Sequence, residues 1–254
     1  MSNTSDLSIN SYSINYLNKN SKFRELCIWL PKSIWNKDQI SNLEKTFLRF
    51  FRSNSYKFSF FSYKSVDENY WLNNWKRYWN PTPIGKNFLI LPSWLEISGK
   101  LYDKNIIKID PGLAFGSGDH PSTSLCLEMM ENESMFSKKI LDIGCGSGIL
   151  SIAAKKLGAG NISLIDNDYL SIKSTKENIA LNFDNQKGFQ IYYGTFNENI
   201  NNFSSNNFDY IVCNIVAGVI KEIIPYTPKI INQNGKIIFS GIIASQKEDI
   251  IKLL

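Results

Sequence analysis

The chain has 254 residues, of which 43% are hydrophobic and 13% are aromatic, and this composition excludes an intrinsically disordered protein. The net charge of +5 is too small to indicate nucleic-acid binding by itself, because such proteins concentrate basic residues on one face. The four cysteines form no C-x-x-C pair and there is a single histidine, so neither a disulfide framework nor a metal site is expected. No apolar run has the length of a signal peptide core or a membrane span, so we expect a cytoplasmic protein without a membrane partner.

The N-terminal region has the pattern of a small α+β domain. Residues 1–22 are rich in Ser and Asn and are expected to be loosely structured. Residues 24–30 and the aromatic-rich segment 56–63 each predict a strand. Between them, apolar residues recur at helical spacing and predict a helix over residues 37–51: Ile40, Leu43, Phe47 and Phe50. We place this domain at residues 1–66.

A linker helix is predicted next, within residues 67–82. Asp67 is a suitable N-cap, Pro81 ends the helix, and Trp71, Trp75 and Tyr78 share one helical face. The ordinary interpretation is that these aromatic rings pack on a neighbouring element. The alternative is a platform on which nucleic-acid bases stack.

The remaining residues, 83–254, form a second domain with a different pattern. Five short apolar runs alternate with helix-length segments: residues 139–143, 161–166, 189–194, 208–214 and 235–241. Alternating strands and helices predict a Rossmann-like, doubly wound α/β domain with a parallel sheet. In such sheets, ligands bind at the carboxyl ends of the strands.

A glycine-rich turn follows the first of these strands, in the sequence Asp142-Ile-Gly144-Cys-Gly146-Ser-Gly148. The dinucleotide fingerprint G-x-G-x-x-G would require a glycine where this chain has Ile149. The observed spacing, G-x-G-x-G, is instead associated with enzymes that bind S-adenosylmethionine. The alternative is a tight turn that binds no ligand.

Polar residues end two further strands. Asp166 ends the second strand, where a carboxylate can accept hydrogen bonds from ribose hydroxyls. The alternative for Asp166 is a helix cap, although Asp168 is better placed for that role. Asn214 ends the fourth strand, where its amide carbonyl can orient a nucleophile. The alternative for Asn214 is an ordinary turn residue.

Upstream of the glycine motif, residues 110–123 (DPGLAFGSGDHPST) form a permissive loop that leads into a helix. Pro121 suits the first turn of that helix. His120 either caps and packs at the helix start or acts as a catalytic base; we favour capping.

Several segments together resemble the ribosomal large-subunit protein eleven methyltransferase family (PrmA), whose members are class I methyltransferases. They cover residues 67 to about 250 in the family's order: WKRYWNPTPIG, DPGLAFGSGDHPST, ILDIGCGSGILSIAAKKLGA, NIVA and IIFSGIIASQ. The resemblance implies S-adenosylmethionine as cofactor, and α-amino and lysine ε-amino nitrogens of that ribosomal protein as methyl acceptors. It implies cofactor contacts at Thr123, Gly144, Asp166 and Asn214, to which the glycine turn adds Gly146.

The resemblance also implies a ferredoxin-like N-terminal domain that recognises the protein substrate, with no direct contact to nucleic acid. Two alternatives stay open: an RNA or small-molecule methyltransferase on the same scaffold, and a truncated, non-catalytic homologue. Family members begin with a strand and a helix not found before Arg24, and their sheet continues beyond the helix pattern that ends this chain at Leu254. We therefore expect a shortened form with three apolar side chains on an unprotected strand edge: Ile237, Ile238 and Phe239.

Overall fold

The structure is a computed structural model of the chain, and it divides into two compact units, Met1–Lys76 and Arg77–Leu254. It describes residues 11–16, 24–29, 37–53, 62–63, 79–96, 104–110, 118, 120–203 and 208–254. Residues 56–61 of the predicted second strand lie outside these ranges, as do residues 67–78 of the predicted linker helix.

The first unit contains two strands and a helix. Strands β1 (Ser11–Tyr16) and β2 (Arg24–Trp29) pair antiparallel, and helix α1 spans Lys37–Ser53. The predictions of β2 and α1 are confirmed. The expectation that no strand precedes Arg24 is wrong, because β1 lies there. Its sequence, SYSINY, alternates polar and apolar residues with the period of a strand.

The second unit begins with a small sheet that the sequence patterns did not predict. Strands β3 (Thr82–Ile84) and β4 (Phe88–Pro92) pair antiparallel, and β5 (Asn105–Ile109) pairs parallel to β4. All five residues of β4 are buried, as expected for a short apolar run in the middle of a sheet.

A five-stranded sheet forms the centre of this unit. Its strands are β6 (Lys139–Ile143), β7 (Asn161–Asp166), β8 (Phe189–Tyr193), β9 (Phe208–Asn214) and β10 (Ile231–Ser240). They lie in the order β10-β9-β6-β7-β8, and every neighbouring pair is parallel. This confirms the predicted parallel α/β sheet. The chain order reverses between β6 and β9, which is where open α/β sheets bind ligands.

Helices cover both faces of this sheet. They are α2 (Pro121–Glu131), α3 (Ile149–Lys156), α4 (Tyr169–Asn182), α5 (Phe196–Phe203), α6 (Ala217–Ile223) and α7 (Lys247–Ile251), with 3-10 turns at Ile224–Lys229 and Ala244–Gln246. Within the described ranges, no helix combines the length and hydropathy needed to cross a bilayer.

Two apolar clusters hold the helices to the sheet. Ile140 of β6 packs with Ile149 and Ile152 of α3 on one face. Leu141, the next residue of β6, packs with Ile220 of α6 on the other face. Because successive side chains of a strand point to opposite faces, a single strand serves both clusters. Each fully buried isoleucine or leucine contributes about 1.5–3 kcal/mol relative to exposure.

In the described part of the sheet, β10 is an edge strand, as predicted, but the three apolar side chains expected at that edge are buried or half-buried. Ile238 is only 4% exposed and belongs to the first cluster. Ile237 and Phe239 are half-buried and pack against the second cluster. An edge strand leaves backbone groups unpaired, whereas its side chains point to the two faces of the sheet, which are covered here.

Candidate active site

A cavity of about 690 Å³ opens at the carboxyl edge of the five-stranded sheet. This volume lies within the usual range for small-molecule sites. All five strands contribute a lining residue at or just after their last position: Gly144, Asp166, Gly194, Asn214 and Gly241. The structure therefore brings Gly144, Asp166 and Asn214 together in one cavity, which is also lined by Gly146.

The glycine-rich turn packs closely against the turn after β9 and against α4 because Gly144 and Gly148 have no side chains. Gly144 has φ 74°, and a Cβ there would overlap the side chain of Ile215 in the turn after β9. Gly148, the N-cap of α3, has φ 79°, and a Cβ there would lie 3.1 Å from Thr175 Cγ2 of α4. Both positions require the left-handed conformation and close backbone approach that glycine permits.

Asp166 ties the glycine turn to the next loop. Its Oδ2 accepts a hydrogen bond from the Gly146 N–H at 2.9 Å, and its Oδ1 accepts one from the Asp168 N–H at 2.9 Å. The half-buried carboxylate keeps further acceptor capacity toward the cavity, because each oxygen can accept two hydrogen bonds. Asp168, in contrast, caps α4 by accepting from Leu170 N–H and Ser171 N–H. The prediction that Asp168 is the cap is confirmed.

Asn214 and Thr123 are in direct contact. The Asn214 Nδ2 donates to Thr123 Oγ1 at 3.0 Å, and Thr123 is fully buried. The Asn214 Oδ1 is buried and has no hydrogen-bond partner among the described residues. A buried acceptor without a partner costs about 1–3 kcal/mol, so this oxygen marks a place where a donor would bind. Thr123 itself is not among the residues that line the cavity.

His120 lies at the cavity rim and caps α2, as predicted. Its Nδ1 accepts from the Ser122 N–H at 3.3 Å and lies 2.8 Å from Ser122 Oγ. Pro121 occupies the first turn of the helix, which confirms the second prediction for this segment. His120 and Ser122 both line the cavity, so α2 presents its N-terminus there.

Asp142 is buried beneath the glycine turn, on the same strand that leads into it. Its Oδ2 accepts a 2.6 Å hydrogen bond from Ser151 Oγ, and its Oδ1 has no partner within the described ranges. Burial raises the pKa of Asp142 to about 7, despite the opposing effect of the Ser151 hydrogen bond; the charge of Asp166 raises it further. Sequence reasoning placed Asp142 in the motif without assigning it a role.

The sequence analysis missed two parts of the cavity wall. One is the turn after β8, where Gly194, Thr195 and Asn197 line the cavity; its position at a strand end was the available signal. The other is Glu222 of α6, an exposed carboxylate at the same cavity. No sequence pattern indicates Glu222, because only the packing of α6 beside Asn214 places it there.

The cavity suits the groups of S-adenosylmethionine. Asp166 offers acceptors for sugar hydroxyls, and the side-chain-free turn lets a ligand approach the backbone. Asn214 offers its unpartnered Oδ1 to a donor. The sheet order, the G-x-G-x-G turn after the central strand and the acid after the next strand define a class I methyltransferase.

Comparisons with known proteins identify the family. The family model described as Ribosomal protein L11 methyltransferase (PrmA) matches residues 12–254. The chain is 49% identical over 249 residues to the ribosomal protein L11 methyltransferase of Prochlorococcus marinus (strain MIT 9301), covering 98% of this chain and 82% of that relative. It is 34% identical over 225 residues to the enzyme of Synechococcus sp. (strain RCC307), covering 88% and 74%.

A crystal structure supports the same conclusion. The ribosomal protein L11 methylase from Lactobacillus delbrueckii subsp. bulgaricus matches with a TM-score of 0.63 and 32% sequence identity, covering 69% of this chain and 87% of that one. The chain belongs to the ribosomal protein L11 methyltransferase family. The resemblance seen in the sequence is confirmed.

Proposed function

We propose that this chain is an S-adenosylmethionine-dependent N-methyltransferase that methylates α-amino and lysine ε-amino groups of ribosomal protein L11 in the cytoplasm. One observation carries the proposal: in a chain of this family, a glycine turn held by Asp166 shares a cavity with the unpartnered Oδ1 of Asn214. We further propose that residues 1–66 recognise the protein substrate and that residues 67–82 link them to the methyltransferase domain.

The cofactor side of the cavity is formed by β6 and β7. When bound, S-adenosylmethionine supplies a methyl group on a positively charged sulfur. We assign its methionine part to the turn containing Gly144 and Gly146, and its ribose hydroxyls to Asp166. We assign Thr123 to the region of the methionine tail; its buried hydroxyl acts there by holding the amide of Asn214.

The acceptor side is formed by β9 and α6. Methyl transfer requires the nucleophile to be aligned with the reacting atoms, and positioning alone lowers the barrier substantially. We assign Asn214 the catalytic role of orienting the amine by accepting one of its N–H bonds at Oδ1. Glu222, the exposed carboxylate at the cavity, attracts the protonated amine as it approaches.

The amine must lose a proton before it attacks. A lysine amine has a reference pKa of about 10.4, and desolvation disfavours its charged form and lowers that pKa. Val216 and Val219, two apolar residues of the cavity wall, supply this desolvation when the substrate covers them. Once the amine is neutral, correct alignment is sufficient for its attack on the methyl group, and this step needs no separate base.

The experiment is a transfer assay with methyl-labelled S-adenosylmethionine and unmethylated L11, followed by mass spectrometry of the protein. Label on amino groups of L11 is the expected result, and Asp166→Ala should abolish most of it at limiting cofactor. Asp168→Ala is the matched control, because it removes a neighbouring carboxylate that caps α4 but does not contact the glycine turn. Label on ribosomal RNA with none on L11 would contradict the proposal, as would the absence of any transfer.

A further inference from the structure

Helix α4 places two polar side chains against the glycine turn. Thr175 and Asn178 are both fully buried, and they share one helical face because they lie three residues apart. The Thr175 Oγ1 donates to the carbonyl of Gly146 at 2.8 Å, and the Asn178 Nδ2 donates to the carbonyl of Ser147 at 2.9 Å. The helix therefore binds two consecutive carbonyls of the turn.

Asn178 also reaches a third segment. Its Oδ1 accepts the N–H of Asp110, the residue directly after β5, at 2.8 Å. The same amide thus connects two residues that precede it in the chain by 68 and 31 positions. A buried amide is expected to have hydrogen-bond partners, and here they come from the glycine turn and from the residue after β5.

Asn182 provides a natural comparison one turn further along α4. Its Oδ1 accepts the Lys108 N–H at 2.9 Å, and its Nδ2 donates to the Lys108 carbonyl at 2.7 Å. It therefore attaches α4 to β5, and its remaining side-chain hydrogen bond goes to the Asn178 carbonyl of the same helix instead of to the glycine turn. Comparing variants of the two asparagines therefore distinguishes the effect of attaching α4 to β5 from the effect of attaching α4 to the glycine turn.

We propose that Thr175 and Asn178 are positioning residues for cofactor binding, which set the conformation of the glycine turn and connect it to Asp110, directly after β5. In a trans peptide the C=O and the next N–H point in opposite directions. Fixing the carbonyls of Gly146 and Ser147 against α4 therefore fixes the two peptide planes that contain them. These planes directly follow the Gly146 N–H, which donates to Asp166. This inference rests on the proposed function, because it assumes that the turn binds S-adenosylmethionine.

The test is calorimetric titration of S-adenosylmethionine into the full chain and its variants, with thermal unfolding measured in parallel. Asn178→Ala should weaken binding by about tenfold or more, because one lost contact worth 1.4 kcal/mol changes affinity tenfold. Asn182→Ala should change the affinity by less than about twofold, since it removes hydrogen bonds to Lys108 and to the Asn178 carbonyl but none to the glycine turn. High cofactor concentration should restore the turnover of Asn178→Ala, because the loss is in binding.

A second variant guards against misfolding. Thr175→Val keeps the volume and removes only the hydroxyl that binds the Gly146 carbonyl, and it should weaken binding by roughly threefold to tenfold. Unchanged affinity in Thr175→Val and Asn178→Ala would overturn the inference, as would equal losses in Asn178→Ala and Asn182→Ala at equal thermal stability. Failure of the unmodified chain to bind S-adenosylmethionine would instead contradict the proposed function.

Discussion

The two ends of the five-stranded sheet differ in how their polar groups are hydrogen-bonded. At the amino end, Asp209 accepts from the Lys139 N–H at 2.9 Å, from Asn232 Nδ2 at 3.0 Å and from Lys138 Nζ at 3.4 Å. At the carboxyl end, the buried Asn214 Oδ1 and Asp142 Oδ1 have no partner in the described ranges. At the amino end, the Asp209 carboxylate is hydrogen-bonded within the protein, whereas the carboxyl end has buried acceptors available to a ligand. This contrast assigns ligand binding to the carboxyl end.

Glu133 shows the same saturation at the amino end. Its carboxylate binds Lys236 Nζ at 2.7 Å and accepts from the Tyr210 hydroxyl at 3.0 Å. The Lys236 hydrogen bond lowers the pKa of Glu133, although partial burial opposes it. Such exposed pairs contribute little to stability, about 0–1 kcal/mol. Neither of the two buried polar atoms without a partner in the described part of the chain lies at this end, so substitutions there should not affect the cofactor.

The largest effect is expected at Asp166. Hydrogen bonds to an ionised acceptor contribute roughly 1.5–3 kcal/mol, so Asp166→Ala should weaken S-adenosylmethionine binding by at least about tenfold. The loss includes both the ligand contact and the support of the Gly146 N–H. Calorimetry on Asp166→Ala and on Asp209→Ala tests the contrast between the two ends. Equal affinities of these two variants for S-adenosylmethionine would contradict the assignment of cofactor binding to the carboxyl end.

Asn214 should show a different kinetic signature. If its Oδ1 orients the amine, Asn214→Ala should lower kcat by about tenfold while changing cofactor affinity less, which indicates an interaction made mainly in the transition state. Steady-state kinetics with L11 and a separate cofactor titration measure the two quantities. Losses of equal size in both would reassign Asn214 to the cofactor, and no loss in either would make it a turn residue.

A pH dependence of stability is expected at Asp142. Burial raises its pKa in the folded chain from the ordinary value of 3.8 to about 7. The stability linked to its bound proton is therefore fully present below the unfolded pKa and is lost as pH rises toward 7. Asp142→Asn cannot ionise, so its stability relative to the unmodified chain should be higher at pH 8 than at pH 5. Urea unfolding at both pH values measures the difference.

Asp209 supplies the matched control for that experiment. Partial burial raises its pKa, but the Lys139 N–H, Asn232 and Lys138 together lower it below its usual value. The stability it contributes is present above its unfolded pKa and is lost only as pH falls through its folded pKa. Asp209→Asn should therefore shift stability equally at pH 5 and pH 8. If Asp142→Asn also shifted stability equally at pH 5 and pH 8, that result would contradict the raised pKa of Asp142.

Local signals in the sequence account for the parts that were predicted correctly. The five central strands are short apolar runs bounded by turns, and Asp168 was identified as a cap because the helix pattern begins one residue later, at Tyr169. The glycine spacing was informative because Gly144 and Gly148 meet steric requirements that any sequence in this turn must satisfy. These features depend on neighbours in the chain.

The features that were missed depend on residues far away in the chain. Asn178 looks like any polar residue of a helix, and its contacts to Ser147 and Asp110 exist only after folding. The pKa of Asp142 depends on its burial under α3. Strand β1 is different, since its alternating pattern was visible in the sequence and was overlooked among Ser and Asn residues.

The most direct test of the contrast between the two ends is hydrogen–deuterium exchange of the full chain with and without S-adenosylmethionine. Backbone amides that contact a ligand or are fixed by it exchange more slowly, because local opening becomes less favourable. The cofactor should slow exchange in the glycine turn from Gly144 to Gly148 and in the segment from Asp166 to Asp168. It should leave peptides containing Glu133 and Asn232 unchanged. Protection at the amino end, or no protection in the glycine turn at saturating cofactor, would contradict the assignment of the binding site to the carboxyl end.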